Sequence, residues 1–187
     1  FLEHAFYRLN IDNPDLHALV AVADGRVVGF FVYVTARSGV FGHLLRRHPV
    51  GLLRAALGSL VRRPTRLPAF LTNLRYMRRE APAFLDDVQG WCVVVGVRPD
   101  ARTRRFEARH GGRVAADLFD AAEAHLQAAG CNGWYVAVRP DNAAVQGLLR
   151  RRGATEAGTG RSQGLEMCYY VKRFAPAPSV APPGRAG

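Results

Sequence analysis

The sequence predicts an α/β fold (α+β by stricter naming) that forms one domain of a 187-residue chain. Two observations predict this class. Short β-rich runs are bounded by turn dipeptides or Arg-Pro pairs, and the longer stretches between them place leucine and valine at helical spacing. The predicted order is strand, strand, helical stretch, strand, helix, strand, helix, strand. A chain of this length with 49% hydrophobic residues is able to bury a core.

The first predicted element is a β-hairpin. Residues 16–23 and 27–34 are β-rich, and Asp24-Gly25 between them accepts the positive φ angles of a tight turn. Both runs are almost continuously apolar, so we expect this part of the sheet to be covered on both faces.

A helical insert follows at about residues 40–82. Leucines have helical spacing there, arginines fill the gaps, and no acidic residue interrupts them before Glu80. Pro49, Pro64 and Pro68 suit helix starts and predict two or three helices. Two interpretations stay open: a helical hairpin with a solvated arginine face, or a surface for phospholipid, nucleic acid or a polyanionic substrate.

Prolines and glycines mark the ends of the remaining elements. Arg98-Pro99 and Arg139-Pro140 end strands, and Gly130 and Gly153 end helices. The predicted elements are a strand at 91–97, a helix at 111–129, a strand at 134–138, a helix from Asp141 or Asn142 to Arg152, and a strand at 165–171. From Ala175 the chain is rich in proline, alanine and glycine, which predicts a disordered tail at 175–187.

The charge of the chain is compatible with several kinds of partner. The formal net charge is +11, and Lys172 is the one lysine, so the positive charge is almost entirely arginine. Such a balance suits nucleic acid, an anionic membrane surface or an anionic ligand and does not choose between them. No apolar run reaches the roughly 18 to 20 residues of a membrane span, and no secretory leader is visible. Three cysteines without paired spacing favour reduced thiols and a cytoplasmic location.

A segment with the chemistry of an anion site begins the predicted helix at 111–129. It reads Arg109-His110-Gly111-Gly112-Arg113-Val114-Ala115 and follows a buried strand. Glycines let backbone N–H groups turn toward a ligand, and the first turn of a helix adds unpaired donors and the positive end of its dipole. A pyrophosphate fits this combination, although an ordinary helix start explains it equally well.

Five motifs carry a resemblance to a known family. The most specific is Val138-Arg139-Pro140-Asp141-Asn142, followed by a helix with Leu148-Leu149 shortly before Gly153-Ala154. The others are Asp24-Gly25-Arg26-Val27-Val28-Gly29-Phe30, Val95-Gly96-Val97-Arg98-Pro99, Gly112-Arg113-Val114-Ala115 and Glu166-Met167-Cys168-Tyr169-Tyr170-Val171. Together they resemble the GNAT (GCN5-related) superfamily of N-acyltransferases over roughly residues 16–174. The arginine-rich insert is similar to one in a bacterial subgroup of these enzymes.

The resemblance implies a fold, an activity and a site. The fold is a mixed, mostly antiparallel sheet with a splayed central parallel pair, here 91–97 and 134–138, flanked by helices. Acetyl-CoA, or another short acyl-CoA, would lie between the splayed strands, and a primary amine of a small molecule or sugar would attack the thioester directly in a ternary complex. No metal is implied, and a homodimer is left open. The residues implied to contact the cofactor are Val95, Val97, Arg109, His110, Gly111, Gly112, Arg113, Val114, Ala115 and Asn142.

The chain departs from the family's pattern at two places. The tyrosine that commonly protonates the leaving thiolate aligns with Leu149, which donates no proton; Tyr135 and Tyr169 are weak candidate substitutes, and the catalytic residue stays unknown. Arg102 occupies the position of the family's arginine, but residues 103–110 intervene before the glycines, so we expect a longer loop. Three functions stay open: an enzyme that uses water as the acid, an inactive CoA-binding or interaction module, and an arginine-rich protein that binds nucleic acid or a membrane.

The resemblance also suggests domain boundaries. The acyltransferase-like domain would cover residues 1–174, and the family's first strand and helix would precede Phe1. The six histidines show no spacing that suggests a metal site. Asp86-Asp87 read as a polar loop, and Cys92 reads as a core residue.

Overall fold

The computed structural model describes residues 12–36, 43, 46–62, 82–162 and 165–175, which include six strands and four α-helices with defined bounds; residues 43, 46 and 47 are helical as well. The strands are β1 (Leu16–Ala23), β2 (Arg26–Val34), β3 (Gly90–Val97), β4 (Gly133–Val138), β5 (Thr155–Ser162) and β6 (Leu165–Arg173). The helices are α1 (Pro49–Arg62), α2 (Arg104–His110), α3 (Val114–Ala128) and α4 (Ala143–Arg151). Short 3-10 turns occupy Ala83–Leu85 and Pro99–Arg102.

The strands form a single mixed sheet in the order β1-β2-β3-β4-β6-β5. The pair β3–β4 is parallel, and the other four neighbouring pairs are antiparallel. This arrangement confirms the predicted fold class. The order also brings β3 and β4 to the centre of the sheet, with their carboxyl ends at the same edge.

The predicted hairpin is confirmed. β1 and β2 pair antiparallel from Leu16↔Val34 to Ala23↔Arg26. Asp24 (φ 49°) and Gly25 (φ 71°) both have positive φ, which is the requirement that favours Asp-Gly in a two-residue turn.

The expectation that the hairpin is covered on both faces is wrong for its outer part. Val20, Val22 and Phe30 are exposed, whereas Phe31 and Tyr33 are buried. α3 packs on one face of β1 and β2, and β1 lies at the edge of the sheet, so the second face near the turn stays open to solvent. An apolar run therefore predicted the strands correctly but not how many faces are covered.

Two helices replace the single helix predicted at 111–129 and the loop before it. Residues 104–110 form α2, whose first turn is capped because the Thr103 hydroxyl accepts a hydrogen bond from the N–H of Phe106 (3.2 Å). Gly111 (φ 72°) ends α2 and donates its N–H to the carbonyl of Glu107 (2.8 Å). α3 consequently begins at Val114, three residues later than predicted.

The strand β5 is missing from the prediction. Its sequence, Thr-Glu-Ala-Gly-Thr-Gly-Arg-Ser, has neither apolar alternation nor β-branched enrichment. It is a strand because β6 offers it a partner: seven residue pairs run from Thr155↔Val171 to Ser162↔Leu165, with an irregularity at Glu156/Gly158. β5 occupies the edge of the sheet, where a strand needs no buried face of its own.

Apolar side chains are buried on both faces of the central sheet. The larger cluster lies under α3 and α4 and includes Phe119, Leu126, Trp134, Leu149 and Tyr170. The smaller cluster contains Leu85, Val88, Tyr135, Tyr169 and Val171. Cys92 belongs to the larger cluster, which confirms that it is a core residue.

Part of the predicted insert is described. α1 begins at Pro49, as the proline suggested, but residues 37–42, 44–45 and 63–81 lie outside the described residues. Most of the predicted tail falls outside them as well. The domain boundaries and both interpretations of the arginine-rich surface therefore stay predictions. No helix in the described ranges is long and apolar enough to cross a membrane.

Candidate active site

The central parallel strands separate shortly after they begin. β3 and β4 pair at Gly90↔Trp134 and Trp91↔Tyr135, and no later pair joins them. Each strand nevertheless continues: β3 stays bonded to β2 as far as Val97, and β4 stays bonded to β6 as far as Val138. The result is a cleft in the middle of the sheet that widens toward the carboxyl ends of both strands.

A β-bulge lies where the separation begins. Val32 pairs with Val94 and Tyr33 pairs with Cys92, so Val93 is an extra residue without a partner on β2. A bulge bends its strand and increases the local twist. This bulge lies two residues after the last β3–β4 pair, and a bent β3 accounts for the loss of contact with β4.

Exposure of the lining residues shows that the cleft is open. Val93, Val94 and Val95 are only half-buried although β3 is a central strand, and Val136 and Ala137 on β4 are half-buried too. Valines in the middle of a closed sheet with helices on it would be fully buried. The two strands thus present apolar, partly solvated walls to each other.

Backbone donors on β3 point into the cleft. Arg98 donates its N–H to the carbonyl of Val28 on β2 (2.8 Å), so alternation directs the N–H groups of Val97 and Val95 away from β2 and toward β4. The carbonyl of Val97 accepts a hydrogen bond from Nε of Arg102 (2.8 Å). Arg102 therefore lies at the mouth of the cleft.

Two turns of identical sequence flank this mouth. Both central strands end in Val-Arg-Pro-Asp, at 97–100 and at 138–141. In each turn the arginine forms a forked pair with the aspartate two residues later: Arg98 Nε lies 3.1 Å from Asp100 Oδ1, and Arg139 Nε lies 3.0 Å from Asp141 Oδ1. The arginine beside Asp100 lowers the pKa of that carboxyl, which keeps the pair charged. These two arginines are neutralised locally, whereas Arg102 has no acidic partner among the described residues.

The first turn of α3 reaches the same end of the sheet. Gly29 of β2 pairs with Val97 of β3, and the side chain of Val114 packs onto Gly29 so closely that a Cβ there would lie 2.7 Å from Val114 Cγ1. The missing side chain of Gly29 brings the helix start beside the carboxyl end of β3. No side chain caps this turn, so its backbone N–H groups are left for another acceptor.

Comparison with solved structures finds this architecture in other proteins. The structure of SsHAT superposes with a TM-score of 0.56 at 13% identity, over 92% of this chain and 77% of that one. A protein described as an acetyltransferase superposes with a TM-score of 0.52 at 14% identity, over 92% and 77%. The chain has the GNAT fold.

Other comparisons add less. Nourseothricin acetyltransferase has a TM-score of 0.49 and 17% identity; the match covers 86% of this chain and 66%, just under two thirds, of that protein's length. No protein-family model and no curated protein matches the sequence.

Several of the predicted cofactor residues have partners within the protein. Arg109 and His110 lie in the last turn of α2 and face Asp24 of the hairpin, with Arg109 Nη2 3.4 Å and His110 Nε2 3.7 Å from its Oδ2. The N–H of Gly111 already donates to the carbonyl of Glu107 at the end of α2, and Nε of Arg113 lies 3.5 Å from Oε2 of Glu107. Gly112, Val114 and Ala115 lie at the start of α3, whose first turn has no side-chain cap.

Asp117 lies in the first turn of α3 and is not among the predicted site residues. Its carboxylate lies directly against Gly112, in the space that a side chain on Gly112 would occupy. A carboxylate in the first turn of a helix interacts favourably with the helix dipole. Because it lies beside Gly112, it also reduces the positive potential there, and its signal in the sequence is an acid five residues after that glycine.

Asn142 begins α4 and lies just beyond β4. Its Oδ1 accepts a hydrogen bond from the N–H of Val145 (3.3 Å), so its side chain serves as a helix cap. Its side-chain oxygen is therefore already engaged, and a cofactor contact by Asn142 stays a prediction.

The three candidate catalytic positions are all core residues. Leu149 lies on α4 and is fully buried in the larger cluster. Tyr135 and Tyr169 are buried in the smaller cluster, where Tyr135 stacks on Trp91 (ring centroids 6.3 Å apart) and Tyr169 contacts the Phe84 ring edge to face (5.8 Å). Tyr135 nevertheless stands at the point where the cleft opens, opposite Trp91.

Two other groups considered from the sequence are held in structural roles. The Arg173 guanidinium beside Asp87 lowers the pKa of that carboxyl, which makes Asp87 a poor proton acceptor. Burial raises the pKa of the Cys92 thiol well above its usual value, so Cys92 stays a neutral thiol. Neither is suited to activate an acceptor amine or to act as a nucleophile.

Proposed function

We propose that the protein is an N-acyltransferase that moves an acetyl or other short acyl group from acyl-CoA to a primary amine of a small molecule or sugar. The separation of β3 and β4 after Trp91↔Tyr135 supports this proposal most strongly. It leaves backbone N–H groups of β3 without a β4 partner along an apolar cleft, which suits an extended arm that carries amide and thioester groups. A structural neighbour with a TM-score of 0.52 is described as an acetyltransferase.

The charged end of the cofactor would lie at the mouth. Gly112, Val114 and Ala115 would offer backbone N–H groups to the pyrophosphate, and Arg102, which forms no ion pair with a described acid, would supply a positive charge. The pantetheine arm would extend the sheet by hydrogen bonds to Val95 and Val97. This orientation points the thioester toward the narrow end of the cleft, near Trp91 and Tyr135.

Catalysis in this site would rest on orientation and on backbone polarisation. A cleft N–H of β3 would donate a hydrogen bond to the thioester carbonyl and stabilise the oxyanion that forms when the amine attacks. Collapse of that intermediate forms the amide and expels the thiolate of CoA. Leu149 supplies no proton, so water that enters the open cleft would take the proton that the attacking nitrogen loses and pass one to the thiolate.

Calorimetry with acetyl-CoA and with CoA tests the binding step. We expect micromolar affinity for the full chain. Gly112→Glu places a negative charge at the pyrophosphate and should abolish binding, while Gly112→Gln has the same shape without the charge and should bind more tightly than the glutamate variant. Arg102→Ala should weaken binding about three- to tenfold. Arg161→Ala removes the same charge from the distant strand β5 and should have little effect.

An amine screen that detects released CoA thiol tests the chemical step. Turnover with a primary amine supports the acyltransferase. Binding without turnover across polyamines, aminoglycosides and amino acids would favour a CoA-binding module, an alternative suggested by the buried Leu149. Failure of a folded protein to bind either cofactor would refute both.

A further inference from the structure

Three side chains from separate parts of the chain converge beside the start of α1. Asp12 precedes β1, and His43 and His48 precede Pro49, the first residue of α1. His43 is 31 residues from Asp12 along the sequence. Both histidines direct Nε2 at the same oxygen, Oδ1 of Asp12.

The distances between these atoms are those of ligands around one metal ion. His43 Nε2 lies 3.3 Å and His48 Nε2 lies 3.5 Å from Asp12 Oδ1, and the three atoms all lie within 4.8 Å of one another. Ligands about 2.0–2.1 Å from a tetrahedral ion are separated from each other by about 3.3–3.4 Å. A direct N–H···O hydrogen bond has a usual length of about 2.9–3.0 Å. The two separations match coordination edges better than they match hydrogen bonds.

His48 gives an independent reason to expect a ligand. Its Nε2 is buried and has no hydrogen-bond partner among the described residues. Oδ1 of Asp12, which can only accept a hydrogen bond, already lies 3.3 Å from Nε2 of His43. A cation in contact with all three atoms would give the lone pair of His48 a partner and let one carboxylate oxygen serve both imidazoles.

The donor set selects the class of metal. Two imidazoles and one carboxylate suit Zn²⁺ and other late first-row divalent ions, whereas Mg²⁺ and Ca²⁺ prefer sites made of oxygen ligands. Half of the Asp12 side chain is exposed, so a fourth position is open to water. We propose that Asp12, His43 and His48 form a Zn²⁺ site that ties the entrance of α1 to the segment before β1.

The attachment would have a structural effect at both ends. The Asp12 side is anchored to the sheet, because Asn13 accepts a backbone hydrogen bond from Leu16 (3.2 Å) and Thr35 donates its N–H to the carbonyl of Asp15 (3.0 Å). On the other side, His48 is adjacent to the helix that begins at Pro49. Bound Zn²⁺ would therefore hold the start of α1 against the edge of the domain, independently of any cofactor in the β3–β4 cleft.

Calorimetric titration of the chelator-treated, untagged 187-residue chain with ZnCl₂ tests the proposal. We expect one equivalent bound at micromolar or tighter affinity, no comparable binding of MgCl₂, and a rise in melting temperature of about 5 °C at saturating Zn²⁺. His43→Ala and His48→Ala should each weaken binding at least about tenfold. His125→Gln removes an exposed imidazole elsewhere on the chain and should bind Zn²⁺ like the parent.

A conservative variant and a spectroscopic probe guard against misfolding of the alanine variants. Asp12→Asn keeps the shape of the side chain but removes its charge, and it should also lose affinity. Co²⁺ in place of Zn²⁺ should give the visible absorption of a four-coordinate ion, and His48→Ala should lose it. Absence of Zn²⁺ binding, or binding that His43→Ala and His48→Ala leave unchanged in folded protein, would overturn the proposal.

Discussion

The close contact between Gly29 and the start of α3 can be tested by adding one methyl group. A Cβ at position 29 would lie 2.7 Å from Val114 Cγ1, 3.1 Å from Leu118 Cδ1 and 3.2 Å from the carbonyl oxygen of Gly96. Optimal carbon–carbon contacts are about 3.5–4.0 Å, so Val114 would have to retreat by about 1 Å. Gly29→Ala should therefore push the first turn of α3 away from the end of β3.

The expected magnitude follows from two opposing effects. Overpacking of a core typically lowers the free energy of unfolding by about 1–3 kcal/mol. Gly→Ala at a negative φ also reduces the entropy of the unfolded chain, which raises the free energy of unfolding by about 0.4–1 kcal/mol. The free energy of unfolding should thus fall by about 1–2 kcal/mol for Gly29→Ala. Val114→Ala, which deletes two buried methyl groups, should cost about 1.6 kcal/mol plus the cost of any cavity.

Urea unfolding of a double-mutant cycle provides the assay. In the Gly29→Ala/Val114→Ala protein the new methyl fills space that the old ones left, so the double variant should be at least about 1 kcal/mol more stable than the sum of the single effects predicts. Gly58→Ala is the control: no atom lies within 4 Å of its Cβ on the exposed face of α1, and we expect a gain of up to about 1 kcal/mol.

Two results would refute the reasoning on Gly29. One is a Gly29→Ala protein as stable as the parent, and the other is additivity of the two substitutions within about 0.5 kcal/mol. CoA affinity is a second measurement on the same proteins. Because Val114 belongs to the proposed pyrophosphate turn, Gly29→Ala should weaken CoA binding and Gly58→Ala should not.

Three further predictions concern the core and its titration. Leu149→Tyr should lower the free energy of unfolding by about 1–3 kcal/mol and should not raise kcat, since the position is fully buried; faster thiol release would contradict this. Glu123→Gln should lower the free energy of unfolding by about 2–3 kcal/mol, because Arg152 and Lys172 lose the carboxylate that they share. Asp120→Asn, at an exposed partner of Arg152, should cost under about 1 kcal/mol, and equal effects of the two substitutions would argue against a special role for Glu123. Burial, and then the neighbouring His125, lower the pKa of His17 from its ordinary value of 6.5, so the unfolded chain binds that proton more readily and stability should fall as pH drops through 6.5. Urea midpoints between about pH 7.5 and 5.5 should depend less on pH in His17→Gln; an unchanged slope would exclude His17 as the cause.

Local sequence patterns correctly predicted the elements whose conformation depends mainly on their own residues. Asp24-Gly25 specified the hairpin turn because both positions need positive φ. The apolar stripe from Val114 to Leu126 specified the core helix, and its end near Gly130 was predicted within two residues. Patterns failed where a neighbour decides: β5 is a strand because β6 pairs with it, and α2 forms where Thr103 caps a segment that was expected to be a loop.

The candidate site divides in the same way. The sequence by itself determined that two apolar strands end in Arg-Pro, that a glycine pair precedes a helix, and that leucine stands at position 149. Only the tertiary structure decided that Val93 bulges, that the strands separate beyond Trp91↔Tyr135, and that Asp12 meets two histidines from the insert. The run Val93-Val94-Val95 gives no sign of the bulge, because any of its members fits a regular strand. The direction of each N–H depends on register with β2, and register is a property of two strands rather than of one.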